Sequence, residues 1–262
     1  MKVFFAGDVV GRPGRDVLKH GLARLRQETD LDFVIANVEN AAGGFGLTPE
    51  IAEQFFEQGI DVLTSGNHIW DKKEILSYLV REPRLLRPIN YPPKLPGSGS
   101  YVGRTAAGVP VAVLNLQGRV FMPSIDCPFQ AADREVPRLA KEAKVILVDM
   151  HCDATSEKTA MGWYLDGRVS AVVGTHTHIP TADERVLTSG TAYITDIGMC
   201  GPFDSVIGIE RESAFARFLT AVPTKFETAK GDPWMNAVVI DVDQATGKAR
   251  SIERVRFRES NP

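Results

Sequence analysis

Short apolar segments alternate with helix-like segments through the first 80 residues, and this alternation constrains the fold more than any other feature of the chain. Three segments, KVFFAGDVV, DFVIANVEN and DVLTSGNH, are almost continuously hydrophobic before they end in polar residues. Such runs are typical of strands that are buried on both faces of a parallel sheet. The intervening helices would cover those faces. The sequence therefore predicts an α/β fold whose first sheet is mostly parallel.

Spacing and capping signals indicate three helices between and after these strands. Apolar residues recur at helical spacing between Arg15 and Gln27. The segment TPEIAEQFFEQG opens with Thr48 as a candidate N-cap, has proline at the first helical position, and ends at Gly59. A third helix is predicted over residues 71–80, with Asp71 as its N-cap.

The second half of the chain predicts a second, mixed sheet. Residues 100–118 have the pattern of a hairpin with AAG as its turn, and the strand segments KVILVDMHCD, VSAVVGTHTH and TAYITDIG follow. Helices are predicted over 131–143 and near 158–165, and two final strands are joined through QATGK. Because no repeat, low-complexity tract or linker interrupts the sequence, we expect one domain over residues 1–262, with the second sheet supplied by the C-terminal half.

Composition excludes several classes of protein. Lys and Arg number 30 against 33 Asp and Glu, with no basic stripe of the kind that binds duplex DNA. The three cysteines, Cys127, Cys152 and Cys200, form no CxxC pair, so we expect neither a disulfide framework nor a thiolate zinc site. The apolar run at the N-terminus is too short for a signal peptide or a membrane span. We therefore expect a cytoplasmic protein without membrane contact.

Side chains that commonly bind metals stand where five of the predicted strands end. They are Asp8, then Glu39 and Asn40, then Asn67 and His68, then His151, and finally His176 and His178. Taken singly, each has a simple structural explanation as a turn, loop, helix-capping or buried residue. Because the carboxyl ends of parallel strands lie on one edge of a sheet, their joint occurrence instead favours a shared ligand site.

The chemistry of these side chains narrows the identity of the ligand. His176 and His178 are two residues apart, a spacing that directs both rings to one side of an extended chain. A mixture of carboxylate, amide and imidazole donors favours Mn, Fe or Zn over Ca or Mg. The set also exceeds the four ligands of a tetrahedral zinc ion. Two ions about 3.5–4 Å apart, as in many enzymes of phosphoryl transfer, fit the set better.

In this order, the motifs resemble those of the calcineurin-like metallophosphoesterase superfamily. The matching segments are GDVVG, NVENAAGG, SGNHIWD, DMHCD, GTHTHIP and TDIGMCGPFDSVIG. Two positions depart from the superfamily pattern, since Val10 stands where a histidine is usual and Glu39 replaces the bridging aspartate. Both departures resemble the YmdB-like branch of bacterial cytoplasmic phosphodiesterases, which act on 2′,3′-cyclic nucleotides and similar diesters. The resemblance implies a layered αββα fold.

The resemblance also implies a role for each candidate residue in a site with two transition-metal ions. Iron is the favoured metal, and manganese or zinc are alternatives. The first ion would be bound by Asp8, Glu39 and His178, helped by Asn40 in place of the missing histidine, and the second by Glu39, Asn67, His151 and His176. His68 would act as general acid or as a donor to a phosphate oxygen. A hydroxide bridging the metals would attack phosphorus in line and open a 2′,3′-cyclic nucleotide to the 3′-nucleotide.

Three features beside the main motifs leave alternatives open. Arg12 is a candidate contact for the substrate phosphate, and an exposed loop arginine is its alternative role. The GGFG turn, residues 43–46, is either a wall of the pocket or a plain connection. Cys152 stands beside His151, but attack by a metal-held hydroxide needs no protein nucleophile.

The net charge of the predicted site gives a weak preference among substrates. Two divalent ions, two carboxylates and a hydroxide together carry a net charge of roughly +1. This charge favours a monoanionic phosphodiester over a dianionic phosphomonoester.

Two other functions remain as alternatives to the phosphodiesterase. One is a regulatory or RNA-linked metal-binding module in which hydrolysis is secondary. The other is a metal-independent α/β binding protein whose histidines are structural. The sequence fixes neither the metal, nor the physiological substrate, nor the oligomeric state, for which a homo-oligomer is one expectation.

Overall fold

The computed structural model describes residues 1–258, and positions 259–262 lie outside the described residues. The strands of this part of the chain are β1 (Lys2–Ala6), β2 (Asp8–Val9), β3 (Phe33–Asn37), β4 (Val62–Thr64), β5 (Ser100–Arg104), β6 (Pro110–Gln117), β7 (Val145–His151), β8 (Ala171–Thr175), β9 (Arg185–Val186), β10 (Ala192–Ile194), β11 (Met199–Pro202), β12 (Pro233–Val242) and β13 (Ala249–Arg258). The helices are α1 (Gly11–Glu28), α2 (Pro49–Glu57), α3 (Ile75–Arg81), α4 (Pro128–Leu139), α5 (Thr155–Tyr164) and α6 (Arg211–Thr220). A short 3₁₀ helix spans Asn67–Trp70.

The first sheet has the strand order β2-β11-β12-β1-β3-β4, and β13 pairs with β12. Strands β1, β3 and β4 run parallel, as their continuous apolar sequences predict. The C-terminal hairpin of β12 and β13 also joins this sheet, antiparallel to β1, whereas the sequence placed it in the second sheet. The reason lies in β12, which is buried on both sides: Val238 and Ile240 face one core and Ala237 faces another.

The second sheet has the order β5-β6-β7-β8-β10-β9. Strands β6, β7, β8 and β10 are parallel, and the two edge strands run antiparallel to their neighbours. The predicted hairpin of residues 100–118 is confirmed by the pairing of β5 with β6. The mixed character predicted for this sheet is also confirmed.

Alternating side chains divide the interior into three cores. In β1, Val3 and Phe5 pack against strands of the second sheet, whereas Phe4 and Ala6 pack on the opposite side among residues of α1 and α2. Residues of α4 and α5 form a third core on the outer face of the second sheet. The layers are therefore helix, sheet, sheet, helix, as the resemblance implied. Since both halves of the chain contribute to the core between the sheets, we propose that the described residues form one domain.

Several helix boundaries differ from the sequence predictions. Helix α1 begins at Gly11, directly after β2, because the Gly14 N–H already donates to the Val10 carbonyl. The third helix begins at Ile75, and its predicted cap, Asp71, instead contacts the His68 ring. Helix α6 was not predicted; it buries only Ala214 and so lacks a clear core-facing stripe. Among the described helices, none is both long and apolar enough to cross a lipid bilayer.

The core between the sheets should dominate stability. We expect Phe5→Ala to lower the free energy of unfolding by about 3–5 kcal/mol, because Phe5 is fully buried and truncation leaves a cavity. Phe218→Ala is the matched control: that ring is 81% exposed, so its loss should change stability by less than about 0.5 kcal/mol. Urea denaturation of both variants measures the difference, and equal midpoints would contradict the assignment of this core.

Candidate metal centre

Six of the predicted ligands come together where strands of both sheets end. Asp8 opens β2, and Glu39 and Asn40 follow β3 in the first sheet. From the second sheet, His151 is the last residue of β7, and His176 and His178 follow β8. Hydrogen bonds and close contacts link all six side chains or their backbone. The edge predicted from the strand ends is therefore a single cluster of polar groups.

Glu39, His151 and His176 form the tightest part of the cluster. Glu39 Oε1 lies 3.0 Å from His151 Nε2, and His176 Nδ1 lies 3.1 Å from the same nitrogen. One ligand atom from each of the three residues lies within 4.8 Å of the other two. Two nitrogens and a carboxylate oxygen at this spacing can bind one transition-metal ion.

A chain of hydrogen bonds fixes which nitrogen of His151 faces this group. Its Nδ1 lies 2.9 Å from Thr175 Oγ1, and that hydroxyl donates its proton to Asp149 Oδ1 at 2.7 Å. The hydroxyl can therefore only accept a hydrogen bond from the Nδ1–H of His151. Nε2 is left to face Glu39 and His176, which is the arrangement that metal-ligating histidines require.

A second group of donors surrounds Asp8. Its Oδ1 lies 3.9 Å from His178 Nε2 and 4.0 Å from His151 Nδ1. The His178 Nδ1–H donates to the Ile207 carbonyl at 2.8 Å, so Nε2 is again the free nitrogen. The Asn40 amide nitrogen lies 3.2 Å from it. As placed, that amide presents its N–H₂, which has no lone pair for a metal, so Asn40 could bind an ion only through Oδ1 after a half-turn of the amide.

Burial and mutual charge set the protonation of these residues. Burial alone would raise the pKa of Glu39, but the adjacent His151 and the His68 N–H lower it to about 2. Burial opposes the charge of His151, yet Glu39 raises its pKa to about 9. For His176, burial and the neighbouring His151 lower the pKa to about 3, so this ring is neutral. A cation bound by the three residues would replace the His151 proton as the partner of Glu39.

The loop after β8 carries its histidines on strained backbone. His176 and His178 have φ values of 98° and 66°, so the extended conformation assumed from their spacing is wrong. The rings reach one cavity through left-handed backbone instead, a conformation that non-glycine residues rarely adopt. Asp8 Oδ2 accepts the His176 N–H at 3.0 Å. Asp196 accepts both the N–H and the hydroxyl of Thr177, which holds the centre of the loop.

Two buried oxygens fit the binding of a cation. Asp8 Oδ1 and Asn67 Oδ1 are buried and accept no hydrogen bond from any described residue. A buried acceptor without a partner is costly, and burial also raises the pKa of the Asp8 carboxyl. Metal ions would satisfy both oxygens, so the donor set matches the predicted cofactor.

His68 lies beside the predicted ligands without joining them. Its backbone N–H donates to Glu39 Oε2 at 2.8 Å, and its ring Nδ1 lies 2.8 Å from Asp71 Oδ2. The ring also contacts Phe45 edge to face, with centroids 5.0 Å apart. Because a carboxylate can only accept, Asp71 fixes the proton on Nδ1 and leaves Nε2 free for a substrate.

Gly66 allows the His68 loop to approach the cluster. A Cβ atom added at Gly66 would lie 2.1 Å from His151 Nε2 and 2.6 Å from Glu39 Oε2. No side chain can occupy that space without displacing the two residues. The close approach of the backbone at Gly66 therefore requires glycine at this position of the SGNH motif.

Arg12 lies apart from the cluster. Its side chain is largely exposed and pairs with Asp16 at 3.5 Å, one turn along α1. It borders two surface depressions, whereas the cavity over the histidines is lined by other residues. The predicted phosphate contact of Arg12 thus gains no support from its position, and the role stays a prediction.

The cluster forms the floor of a cavity of about 340 Å³. Glu39, Asn40, His68, His176 and His178 face it, and its walls are largely apolar. Gly44 and Phe45 of the GGFG turn supply one wall, so this turn is part of the pocket rather than a plain connection. Ile207, Gly208 and Ile209 supply another.

Sequence reasoning missed the residues that hold the ligands in place. Asp149, fully buried beneath His151, also accepts hydrogen bonds from Asn37 and Thr64, and burial raises its pKa to about 6. Lys158, also buried, pairs with Asp196 at 2.6 Å. A carboxylate within the apolar run VILVDMH was the one sequence signal available for Asp149. Burial and Glu157 raise the pKa of Cys152 to about 12, which favours the protonated thiol over the thiolate that a nucleophile requires.

Comparison with known proteins assigns the chain to a family. A family model of YmdB-like proteins matches residues 4–255. The chain belongs to the YmdB-like family. This confirms the branch to which the departures at Val10 and Glu39 pointed.

Relatives that carry functional names are similar over nearly their whole length. The chain is 49% identical over 262 residues to the 2′,3′-cyclic-nucleotide 2′-phosphodiesterase of Bacillus subtilis (strain 168), covering 100% of this chain and 98% of that protein. It is 36% identical over 272 residues to a putative phosphatase/phosphodiesterase of Mycoplasma pneumoniae, covering 100% and 95%.

Two crystal structures share the fold of this YmdB-like protein. A hypothetical protein from Thermus thermophilus superposes with a TM-score of 0.93 at 41% identity, covering 99% of this chain and 100% of that chain. A novel phosphatase from Mycoplasma pneumoniae also gives a TM-score of 0.93, at 36% identity, covering 100% and 95%. The αββα architecture is thus that of these relatives.

Gly66→Ala should damage the cluster without unfolding the protein. We expect its metal content, measured by inductively coupled plasma mass spectrometry, to fall well below that of the wild type, because the added methyl displaces His151 and Glu39. Gly108→Ala is the control: its Cβ would meet nothing within 4 Å, and its φ of +81° costs only about 1–2 kcal/mol of stability. A Gly66→Ala protein with full metal content would contradict this geometry.

Proposed function

We propose that this protein is a dinuclear metal-dependent phosphodiesterase that hydrolyses small phosphodiesters such as 2′,3′-cyclic nucleotides. The observation that carries the proposal is the convergence of five predicted ligands from both sheets into one cluster. Glu39, His176 and His178 line the cavity, and Asp8 and His151 are buried in contact with them. The 49% identical Bacillus relative, named as a 2′,3′-cyclic-nucleotide 2′-phosphodiesterase, supports the same reaction.

The donor set suggests how two ions would be shared. Glu39, His151 and His176 would hold one ion, with Asn67 as a further ligand, and Asp8 and His178 would hold the other, with Asn40 nearby and Glu39 between them. Mixed nitrogen and oxygen donors suit iron, manganese or zinc, of which iron is our first choice. Bound there, such ions act as Lewis acids on phosphoryl oxygens and lower the pKa of water at the site.

The protein side chains contribute orientation and proton transfer. With its Nδ1 proton held by Asp71, His68 presents Nε2 to the cavity. In its protonated form this nitrogen can donate to the oxygen that leaves phosphorus, which is the role of a general acid. The apolar walls limit the access of bulk water and strengthen these polar contacts.

The charges of the site favour an anionic substrate. Two divalent ions carry a charge of about +4, and the two ligand carboxylates offset only part of it. A negatively charged phosphodiester would reduce the remaining excess of positive charge. The three free cysteines suit the reducing cytoplasm, where we propose that the enzyme acts.

Substitution of His68 tests the proposed mechanism. We expect His68→Ala to lower kcat on 2′,3′-cyclic AMP by about 10²–10⁴-fold while the metal content stays at two ions per chain, because His68 donates a proton and binds no ion. The measurements are product formation by chromatography and metal analysis of the same sample. Wild-type kcat in the variant would remove His68 from the mechanism.

Asn67→Ala is the companion to this experiment. Because Asn67 is proposed as a ligand, its loss should lower the metal content and the activity together, and added Mn²⁺ should restore part of both. A variant that is inactive but fully loaded with metal would contradict the ligand role. A wild-type protein that hydrolyses no diester with both ions bound would contradict the proposed function itself.

A further inference from the structure

Phe45 occupies a defined position at the wall of the cavity. Its ring lines the cavity and contacts the His68 ring edge to face, at 5.0 Å between centroids. The flanking glycines, Gly44 and Gly46, have φ values of 93° and 77°. A Cβ atom added at Gly44 would lie 2.7 Å from Thr228, and one added at Gly46 would lie 2.7 Å from Lys72. Both sides of the turn therefore pack closely against neighbouring residues. Phe45 is thus held on the His68 side of the site.

A second apolar wall of the cavity lies beside His178. Ile207 contacts His178, since its carbonyl accepts the His178 Nδ1–H at 2.8 Å. The cavity therefore has an aromatic wall beside His68 and an aliphatic wall beside His178. A ligand that carries a flat ring would bind most favourably with that ring against Phe45, because aromatic side chains stack on nucleobases.

The chemistry of ring opening connects this asymmetry to the bond that breaks. In a 2′,3′-cyclic nucleotide, O2′ is attached to C2′, which adjoins the carbon that bears the base. O3′ is attached to C3′, on the side of the 5′-hydroxymethyl group. When the oxygen of water bonds to phosphorus and the P–O2′ bond breaks, its electron pair stays on O2′. O2′ then takes up one proton, and a 3′-phosphomonoester results.

If His68 supplies that proton, O2′ must face His68, and the adjacent base then lies against Phe45. The alternative cleavage of P–O3′ at the same His68 would turn the base away from Phe45 and place the 5′ side of the ribose there. We propose that Phe45 is a specificity-determining residue: it binds the base of a 2′,3′-cyclic nucleotide and thereby directs cleavage to the P–O2′ bond. This inference rests on the proposed function and adds the residue that sets the regiochemistry of its reaction.

The test compares two substrates in one set of variants. The first is 2′,3′-cyclic AMP, whose products 3′-AMP and 2′-AMP separate by chromatography. The second is methyl β-D-ribofuranoside 2′,3′-cyclic phosphate, which keeps the cyclic diester and its alkoxide leaving group and carries a methoxy group in place of the base. The variants are Phe45→Ala, which removes the ring, Phe45→Trp, which keeps an aromatic surface, and Phe218→Ala, which removes an exposed ring that does not line the cavity.

We expect Phe45→Ala to raise KM for 2′,3′-cyclic AMP about ten-fold and to release 2′-AMP beside 3′-AMP, because the base loses its stacking partner. Its kcat/KM on the methyl riboside should change far less than on 2′,3′-cyclic AMP, because that substrate has no base to stack on Phe45. Phe45→Trp and Phe218→Ala should still give 3′-AMP alone. This pattern also separates a role of Phe45 in binding the base from a role in folding, because a misfolded variant would lose activity on both substrates.

Two results would overturn the inference. In one, Phe45→Ala and Phe45→Trp keep the wild-type KM and product ratio. In the other, Phe45→Ala loses activity equally on both substrates, which would mean that the ring supports His68 rather than the base. Failure of the proposed function looks different, since the metal-loaded wild type would then hydrolyse neither diester.

Discussion

The contact between Glu39 and His151 is the interaction on which the rest of the site depends. Glu39 follows a strand of the first sheet and His151 ends a strand of the second, and both side chains are fully buried. Their 3.0 Å separation therefore fixes how the carboxyl edges of the two sheets meet. A buried carboxylate needs a cationic partner, since an isolated charge is strongly disfavoured in the interior. The histidine proton, or a metal ion in its place, meets that need.

Support for this pair comes from residues outside the predicted set of metal ligands. Thr175 and Asp149 orient the His151 ring, and Gly66 leaves room for the loop that brings the His68 N–H to Glu39. Lys158 and Asp196 hold the next loop, where the strained backbone of His176 and His178 would otherwise relax. Strain of this kind persists only where the surroundings fix it, and here the surroundings are buried charge and hydrogen bonds.

The sequence predicts most of the strands and the identity of the clustered side chains because both depend on local patterns, whereas the αββα layers were implied by the family resemblance. An apolar run and the polar residue that ends it are adjacent in the chain, so strand edges can be found without a fold. The orientation of His151 depends on Asp149, Thr175 and Asn37, which come from three strands and have no common sequence signal. The sequence also predicts the wrong role for Asp71. It predicts a helix cap, whereas the carboxylate contacts the His68 ring. Aspartate commonly serves either purpose, so the residue type alone does not distinguish them.

Val10 explains why the two halves of the site differ. It is buried at the position where the resemblance to the calcineurin-like superfamily leads one to expect a histidine, and it packs close to Gly208 in the aliphatic wall. The half of the site around Asp8 thus has one imidazole, His178, whose side chain is 13% exposed, whereas the half around Glu39 has two. Fewer and more exposed donors hold an ion less tightly and leave more of its coordination positions free. In the proposed two-metal site, Val10 would therefore place an apolar wall beside the more open metal position, where a phosphodiester oxygen would have room to bind.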